Sequence, residues 1–428
     1  MDDQRHPPAV VRAIAAAARL DPERLPGLRT RMRWTLFAIS ALGSTGYIAA
    51  ITVGTLVAAD IHGDATLGGV PTAAATIGTA TAATLISGLM LRIGRRAGLV
   101  GGLAVGLIGA LTAVAAVLLE SIALLLVASA LTGFANGVAN LGRYVAADLV
   151  APERRASAIG MVVWGATLGA VSGPNLVAPA GAVARAIGLP ELVGAYLVTV
   201  GFLGLAMLLA YLLLRPEPYE LAHPSALARS DAPPASLGTL LLRPTIIVAL
   251  VALVAGQVVM VLIMTMTPIH LMDHGHGLAT VGFVLSAHTF GMFALSPISG
   301  RLTDRFGSPA VIGGGMATLA VAALMAALAP PAGGLILTLA LFLLGWGWNL
   351  GFVAGSAMLT RGLALGERTG VQGLADGLVW SSAAFASLSS GLIVASASYT
   401  ALGFLSIGLL VIPSTLLLVR RALVVPSA

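Results

Sequence analysis

Two pairs of soft donors stand out in this 428-residue chain: Met260 with Met264, and His288 with Met292. Each pair has i,i+4 spacing, which puts both side chains on one face of a helix. The stretch Gln257–Asp304 reads QVVMVLIMTMTPIHLMDHGHGLATVGFVLSAHTFGMFALSPISGRLTD, two apolar helices joined by a short His-rich loop. A connection this short predicts antiparallel neighbours. Counting inward from the loop at roughly 1.5 Å per residue sets Met260 and His288 each on the order of 15 Å deep. Three thioethers and one imidazole favour Cu(I) over hard cations, and no carboxylate stands among them to invite calcium or magnesium. Methionine also fills gaps in ordinary cores, and a core histidine commonly bonds a neighbour. An ionisable residue well inside a span, however, points to function by default. His270, His274 and His276 in the loop are candidates for collecting a metal at the outer mouth, beside the plainer reading of a polar loop.

The elements that must position these groups are long apolar runs. With 58% hydrophobic and 9% charged residues, the sequence is not that of a soluble domain. About twelve runs of roughly 20 residues or more recur, from 34–59 to 399–419, and predict an all-α, polytopic membrane protein. A tail over 1–33, with a short helix-like stretch Ala9–Leu20, precedes a six-helix bundle over 34–214. A Pro-rich polar linker over 215–243 leads to a second bundle over 244–421 and a tail over 422–428. The tail Met1–Arg33 holds no apolar segment beside a small-residue cleavage site, so no cleavable signal is expected.

Net charge is +6, and all 23 basic residues are arginine. They fall in alternate connections, from Arg92 to Arg421, while the opposite connections carry Arg185 alone. That pattern is one of topology and not of nucleic-acid binding; it predicts both termini in the cytoplasm and the His-rich loop outside. The absence of cysteine excludes disulfides, thiolate metal sites and Cys-based catalysis.

The two halves repeat. Ser87–Gly94 (SGLMLRIG) aligns with Gly300–Gly307 (GRLTDRFG), Gly101-Gly102 with Gly314-Gly315, and Glu153-Arg154 with Glu367-Arg368. Such repeats trace transporter folds with a site between the halves. The alignment sets Met260 against Tyr47, Met264 against Ile51, His288 against Ala75 and Met292 against Thr79, so the donor set is confined to the second half.

Three further groups carry weight. Asp376 lies inside the eleventh span, where a carboxylate must be paired or protonated, and Arg143 of the fourth span is its candidate partner. The pair reads either as a structural contact or as a proton-coupling site. Gly165, Gly169, Gly173 and Pro174 form a small-residue ridge on the fifth span, a pattern that chiefly permits close helix contact. Trp346, Trp348 and Asn349 on the tenth span suit either a cavity wall or aromatic packing. No phosphate-binding Gly loop, paired-carboxylate site or Ser/His/Asp arrangement points to an enzyme.

Gly300–Ser308 (GRLTDRFGS) resembles the signature loop between the second and third spans in the major facilitator superfamily, and Arg143–Arg155 (RYVAADLVAPERR) resembles its fourth-span pattern. The resemblance runs from Trp34 to Arg421 and implies two pseudo-symmetric six-helix bundles that rock about a central site. It also implies a conformational latch at Arg301, Asp304 and Arg305, beside a purely structural role for the three. In the first half Leu91 stands where the acidic residue belongs, and Ser87 where glycine does.

Within the superfamily, Met260-x-x-x-Met264 with His288-x-x-x-Met292 resembles the CcoA-type bacterial copper importers. That likeness implies that the four residues bind copper in passage across the bacterial cytoplasmic membrane, with a copper-delivery chaperone for haem–copper oxidase assembly downstream. CcoA-type proteins also use cysteines, which this chain lacks. The expectation is therefore a monomeric importer of copper, Cu(I) above all, with the metal as substrate and no resident cofactor. Two rivals stand beside it: a proton-coupled transporter of a small organic molecule (flavin uptake or drug efflux) dependent on Asp376, and a non-transporting metal sensor or assembly partner.

Overall fold

The computed structural model describes residues 21–62, 69–222, 235–330, 334–361 and 363–419. The expected stretch Ala9–Leu20, Arg229 and the arginines at 420 and 421 lie outside the described residues. Twelve described helices are long and apolar enough to cross a membrane. The first bundle contains α1 (Leu25–His62), α2 (Val70–Ile93), α3 (Arg95–Leu118), α4 (Ile122–Asp148), α5 (Arg155–Ala186) and α6 (Val193–Leu213). The second contains α7 (Pro244–Asp273), α8 (Leu278–Phe293, continued by Ser296–Phe306), α9 (Ser308–Ala327), α10 (Gly334–Met358), α11 (Leu365–Ser396) and α12 (Tyr399–Val419).

Two of these helices begin earlier than hydropathy suggests. α1 starts at Leu25 and not Trp34, because Arg29 is tied to the chain after α6, its Nε donating to the carbonyl of Leu221 at 2.8 Å. α11 starts at Leu365 and not Val371, because Arg368 and Thr369 are buried by partners instead of being left in water. A hydropathy window reads such residues as loop; their ion pairs and hydrogen bonds make them helix.

The chain forms two compact units that exchange short pieces: Met1–Pro152, Val162–Ala235 and Leu363–Trp380 make one, and Glu153–Met161, Ser236–Gly362 and Ser381–Ala428 the other. The start of α5 thus belongs to the second unit, and the start of α11 to the first.

Each unit packs its second helix on its fourth by bringing backbones together at glycine. In the first unit, a Cβ on Gly133 of α4 would strike the carbonyl of Ala75 in α2, and one on Gly78 would strike that of Ala130. In the second unit, a Cβ on Gly345 of α10 would strike the carbonyl of His288 in α8, and one on Gly291 that of Phe342. Ala75 and Gly78 correspond to His288 and Gly291 in the internal alignment, so the contact recurs in both units, with its partners on α10 shifted by one residue. The matching turns agree as well: Gly94 (φ 102°) and Gly307 (φ 83°) hold the left-handed backbone that only glycine adopts without strain.

This packing corrects one expectation. α7 and α8 are joined by a short loop but meet along little of their length, and α10 packs on both. Loop length fixes which helices follow one another, not which backbones can approach; Gly291 and Gly345 let α8 and α10 come closer than the larger side chains of α7 allow. The small-residue ridge of α5 is likewise explained by packing: Cβ atoms on Gly165, Gly169 and Gly173 would run into Phe37, Ser44 and Ile48 of α1 at less than a van der Waals separation.

Gly133→Leu is expected to prevent the α2–α4 contact and lose about 1–3 kcal/mol or more of stability. Gly101→Ala, which meets nothing within 4 Å, should stay within a few tenths of a kcal/mol of wild type or gain slightly. Thermal unfolding of the detergent-extracted protein, followed by size-exclusion chromatography, separates the two outcomes.

Candidate functional site

The most strongly built polar site lies in the first unit, where α4 meets the start of α11. Arg143 and Asp376 are 1% and 2% exposed, deep among apolar helices, and stand 2.5 Å apart from Nη2 to Oδ1. The Tyr144 hydroxyl donates to the same carboxylate oxygen at 3.1 Å and accepts from Arg143 at 2.9 Å. The Arg143 guanidinium also lies 4.2 Å from the centre of the Tyr144 ring and donates to the Asn140 carbonyl at 2.7 Å. Charge and hydroxyl therefore converge on one oxygen of Asp376, while the Tyr144 ring face backs the guanidinium. Its other oxygen, Oδ2, is buried and has no hydrogen-bond partner among the described residues. The structure brings together the two residues that the sequence paired; Tyr144 is the addition.

One to two turns nearer the start of α11 is a second cluster that sequence reasoning passed over. Asp148, at the end of α4, takes Arg95 of α3 at 3.0 Å and Arg368 of α11 at 3.4 Å, all three nearly fully buried. Gln372 faces Arg95 at 3.5 Å. A signal existed: the Glu-Arg echo before the fifth and eleventh spans flagged Arg368, but as part of the internal repeat.

The chain after α6 closes this end of the unit. Glu217 accepts from the backbone N–H of Arg95 at 2.5 Å, at the start of α3, where the helix dipole favours an anion. Tyr219 lies under the Arg95 guanidinium, 5.3 Å to the ring centre, and its hydroxyl is 3.2 Å from that of Thr369. Burial pushes the Glu217 carboxyl above the ordinary carboxylate range; bonds from Arg95 and Arg96 and the charge of Arg95 offset part of that. Burial likewise raises the Tyr219 phenol.

The soft donors of the second unit occupy packed positions. His288 is 1% exposed and holds the Leu341 carbonyl of α10 through Nδ1 at 2.9 Å; its Nε2 is buried without a partner among the described residues. Met260 is 3% exposed, while Met264 and Met292 are half-buried. Beside them, Trp348 donates to Gln257 at 2.7 Å and stacks on Phe352, and Asn349 donates to the Met292 carbonyl at 2.6 Å and to Ser296 at 2.7 Å. These contacts favour the packing role for Trp348 and Asn349. At the far end, the His270 ring stacks on Tyr399 at 4.1 Å and lies 4.3 Å from His274, whose Nδ1 contacts the His270 carbonyl at 2.7 Å. Among the described residues, no three His, Asp or Glu side chains, those of His270, His274 and His276 included, form a group able to hold a metal.

Asp304 gives its two oxygens to the backbone N–H groups of Ala156 and Ser157 at 3.0 and 2.9 Å, capping the start of α5, while Arg301 and Arg305 are exposed. A carboxylate at a helix N-terminus satisfies donors that the helix cannot. In the same unit Arg155 reaches the Thr360 carbonyl at the end of α10, at 3.3 Å.

Removing one member of the buried pair is expected to cost about 3–5 kcal/mol, because it strands a charge. Arg143→Ala should therefore lower the unfolding temperature sharply, and Arg143→Met combined with Asp376→Leu should recover most of the loss in a double-mutant thermal-unfolding series. For Glu217 the folded value lies above the unfolded one, so its contribution favours folding at acid pH and is lost as pH rises through the folded value. Glu217→Gln should remove that part of the pH dependence in the same melts.

Comparison with known proteins agrees with this architecture. The chain matches the Major Facilitator Superfamily over residues 34–280 and 258–427. It is 38% identical over 408 residues to the uncharacterized MFS-type transporter YddS of Bacillus subtilis, covering 94% of this chain and 93% of that one. It is 28% identical over 370 residues to the riboflavin transporter RfnT of Brucella anthropi, covering 85% and 89%. Solved structures with the same fold include the transporter FucP in the outward conformation (TM-score 0.71, 15% identity, covering 90% and 98%). A bacterial homologue of the iron transporter ferroportin also has it (TM-score 0.70, 16% identity, covering 91% and 99%). With twelve apolar helices, an internal repeat and a family match along nearly its whole length, the chain belongs to the Major Facilitator Superfamily and is a multi-pass secondary transporter.

Proposed function

We propose that the chain carries a small organic solute by alternating access, with flavins the first class to test. The observation that carries this reading is its 28% identity over 370 residues to a riboflavin transporter, with both chains covered almost throughout. The packing of the soft donors supports it from the other side. His288 commits one nitrogen to a backbone carbonyl of α10, and α8 packs on that helix instead of lying along α7 with its methionines. A relay of four ligands along α7 and α8 needs those two helices side by side. The arginine pattern supports a bacterial cytoplasmic membrane with both termini inside.

A second reading, uptake of Cu(I), is favoured by one specific feature. The buried Nε2 of His288 lacks a partner among the described residues, and a neutral imidazole nitrogen in that state is a competent soft-metal ligand. In this reading Met260, Met264 and Met292 supply the thioethers, copper is the substrate and a delivery partner receives it.

Uptake of labelled riboflavin and of radiocopper into the same cells, with and without the protein, tests both. The organic-solute reading expects riboflavin accumulation several-fold above the empty-vector control that survives His288→Ala and Met264→Leu. Copper accumulation abolished by those two substitutions, with no riboflavin uptake, would replace it with the second reading.

A further inference from the structure

We propose that the cleft lined by α1, α2, α3, α4 and α6 of the first unit is a binding site for a small neutral alcohol, whose hydroxyl is held by Tyr196. The proposal rests on neither the identity nor the path of the transported solute.

The cleft has a volume of about 290 Å³, its open mouth included, and every residue that lines it belongs to the first unit. Small side chains make up much of its wall, among them Ala50 of α1, Ala113 of α3 and Ala128 of α4. Tyr196 of α6 lines it too and is 2% exposed; its hydroxyl is buried with no hydrogen-bond partner among the described residues. Buried polar groups are hydrogen-bonded as a rule, so an unmatched phenol beside a cleft marks a place for a ligand.

The second unit shows the same place filled by the chain itself. In the internal alignment Gly54 stands against Thr267 and Ala75 against His288. Thr267 donates to the Ile263 carbonyl at 2.7 Å, and so accepts from the hydroxyl of Tyr399, at the start of α12, at 2.8 Å. The His288 ring is buried against α10. The first unit keeps a tyrosine on its sixth helix but has glycine and alanine at those two positions, and both line the cleft. The hydroxyl and the bulk that α7 and α8 supply in one unit are thus not supplied by α1 and α2 in the other. A ligand with one hydroxyl and a short carbon body provides both.

The lining defines the ligand class. It carries no Asp, Glu, Arg or His, so a charged molecule would lose its hydration and gain no counter-charge. Ser129 and Thr132 on α4 also line the cleft; they donate to the Leu125 and Ala128 carbonyls of their own helix at 2.8 and 3.0 Å and keep lone pairs to accept with. A ligand hydroxyl can therefore accept from Tyr196 and donate to Ser129 or Thr132 while its carbons lie against the alanines. An ether or ketone could use Tyr196 alone, and a hydrocarbon none of the three.

The test uses the full chain in lipid nanodiscs with trifluoroethanol as the probe, protein-free nanodiscs as the blank and fluorine NMR line broadening as the readout. No riboflavin or copper is present, so its failure is separate from theirs. The expected result is broadening above the blank that saturates and is displaced by ethanol. Tyr196→Phe, which removes one neutral hydrogen bond, should weaken binding about three- to tenfold. Gly54→Thr should abolish it, and the change is accommodated: a Cβ there meets only Pro71, at 3.5 Å. Its hydroxyl offers Tyr196 the partner that Thr267 gives Tyr399, so its unfolding temperature should equal or exceed that of wild type. Broadening that does not saturate overturns the site, as does wild-type affinity in Tyr196→Phe or in folded Gly54→Thr. Tyr196→Phe supplies the reading if Gly54→Thr does not fold.

Discussion

A carboxylate inside a helical bundle in a bilayer must meet a cation or carry a proton, and the contact between Asp376 and Arg143 answers that requirement for one oxygen only. Much else in the first unit is arranged around it. Tyr144 covers the guanidinium and bonds the same oxygen, and the start of α11 extends into charged sequence so that its arginine can reach Asp148. The segment after α6 then places Glu217 and Tyr219 over Arg95. The residues at the corresponding places of the repeat, Gly355 and Ser356 on α10 and Val163 on α5, carry no charge, so the pair is an addition to the repeat and not a requirement of the fold.

Beneath that chemistry runs a simpler constraint. Lipid offers no hydrophobic drive between helices, so close backbone packing carries the association. Gly78 with Gly133, and Gly291 with Gly345, supply it at equivalent places in the two units. The capping of α5 by Asp304 and the reach of Arg155 to Thr360 serve the same end at the helix termini.

The fold was legible in the sequence because its signals are local and repeated: a span is a run of apolar residues, and the Gly300–Gly307 pattern has a weaker copy at Ser87–Gly94. The Arg143–Asp376 pair was legible for a related reason, since few ionisable residues sit that far inside spans. The packing partner of α8 was not. Spacing at i,i+4 says which residues share a face, but the direction of that face is decided by Gly345 on a helix more than fifty residues away, whose missing Cβ admits the His288 backbone. The Asp148 cluster escaped because arginines near span ends look like topology markers until their partners are seen. Asp304 was read as part of a latch or as structural, and its two oxygens accept from backbone donors at the start of α5.

The departure at Ser87 has its counterpart across the helix contact. A Cβ on Gly373 would run into the Ser87 side chain and come within 2.6 Å of the Ala83 carbonyl, so the extra hydroxymethyl on α2 occupies room that α11 has given up. The two positions share a single allowance of volume: whichever side of that seam grows, the other must shrink. Lineages of this carrier should therefore drift at 87 and 373 together, and a bulkier residue arriving at one site without a concession at the other would pry the start of α11 from its bed.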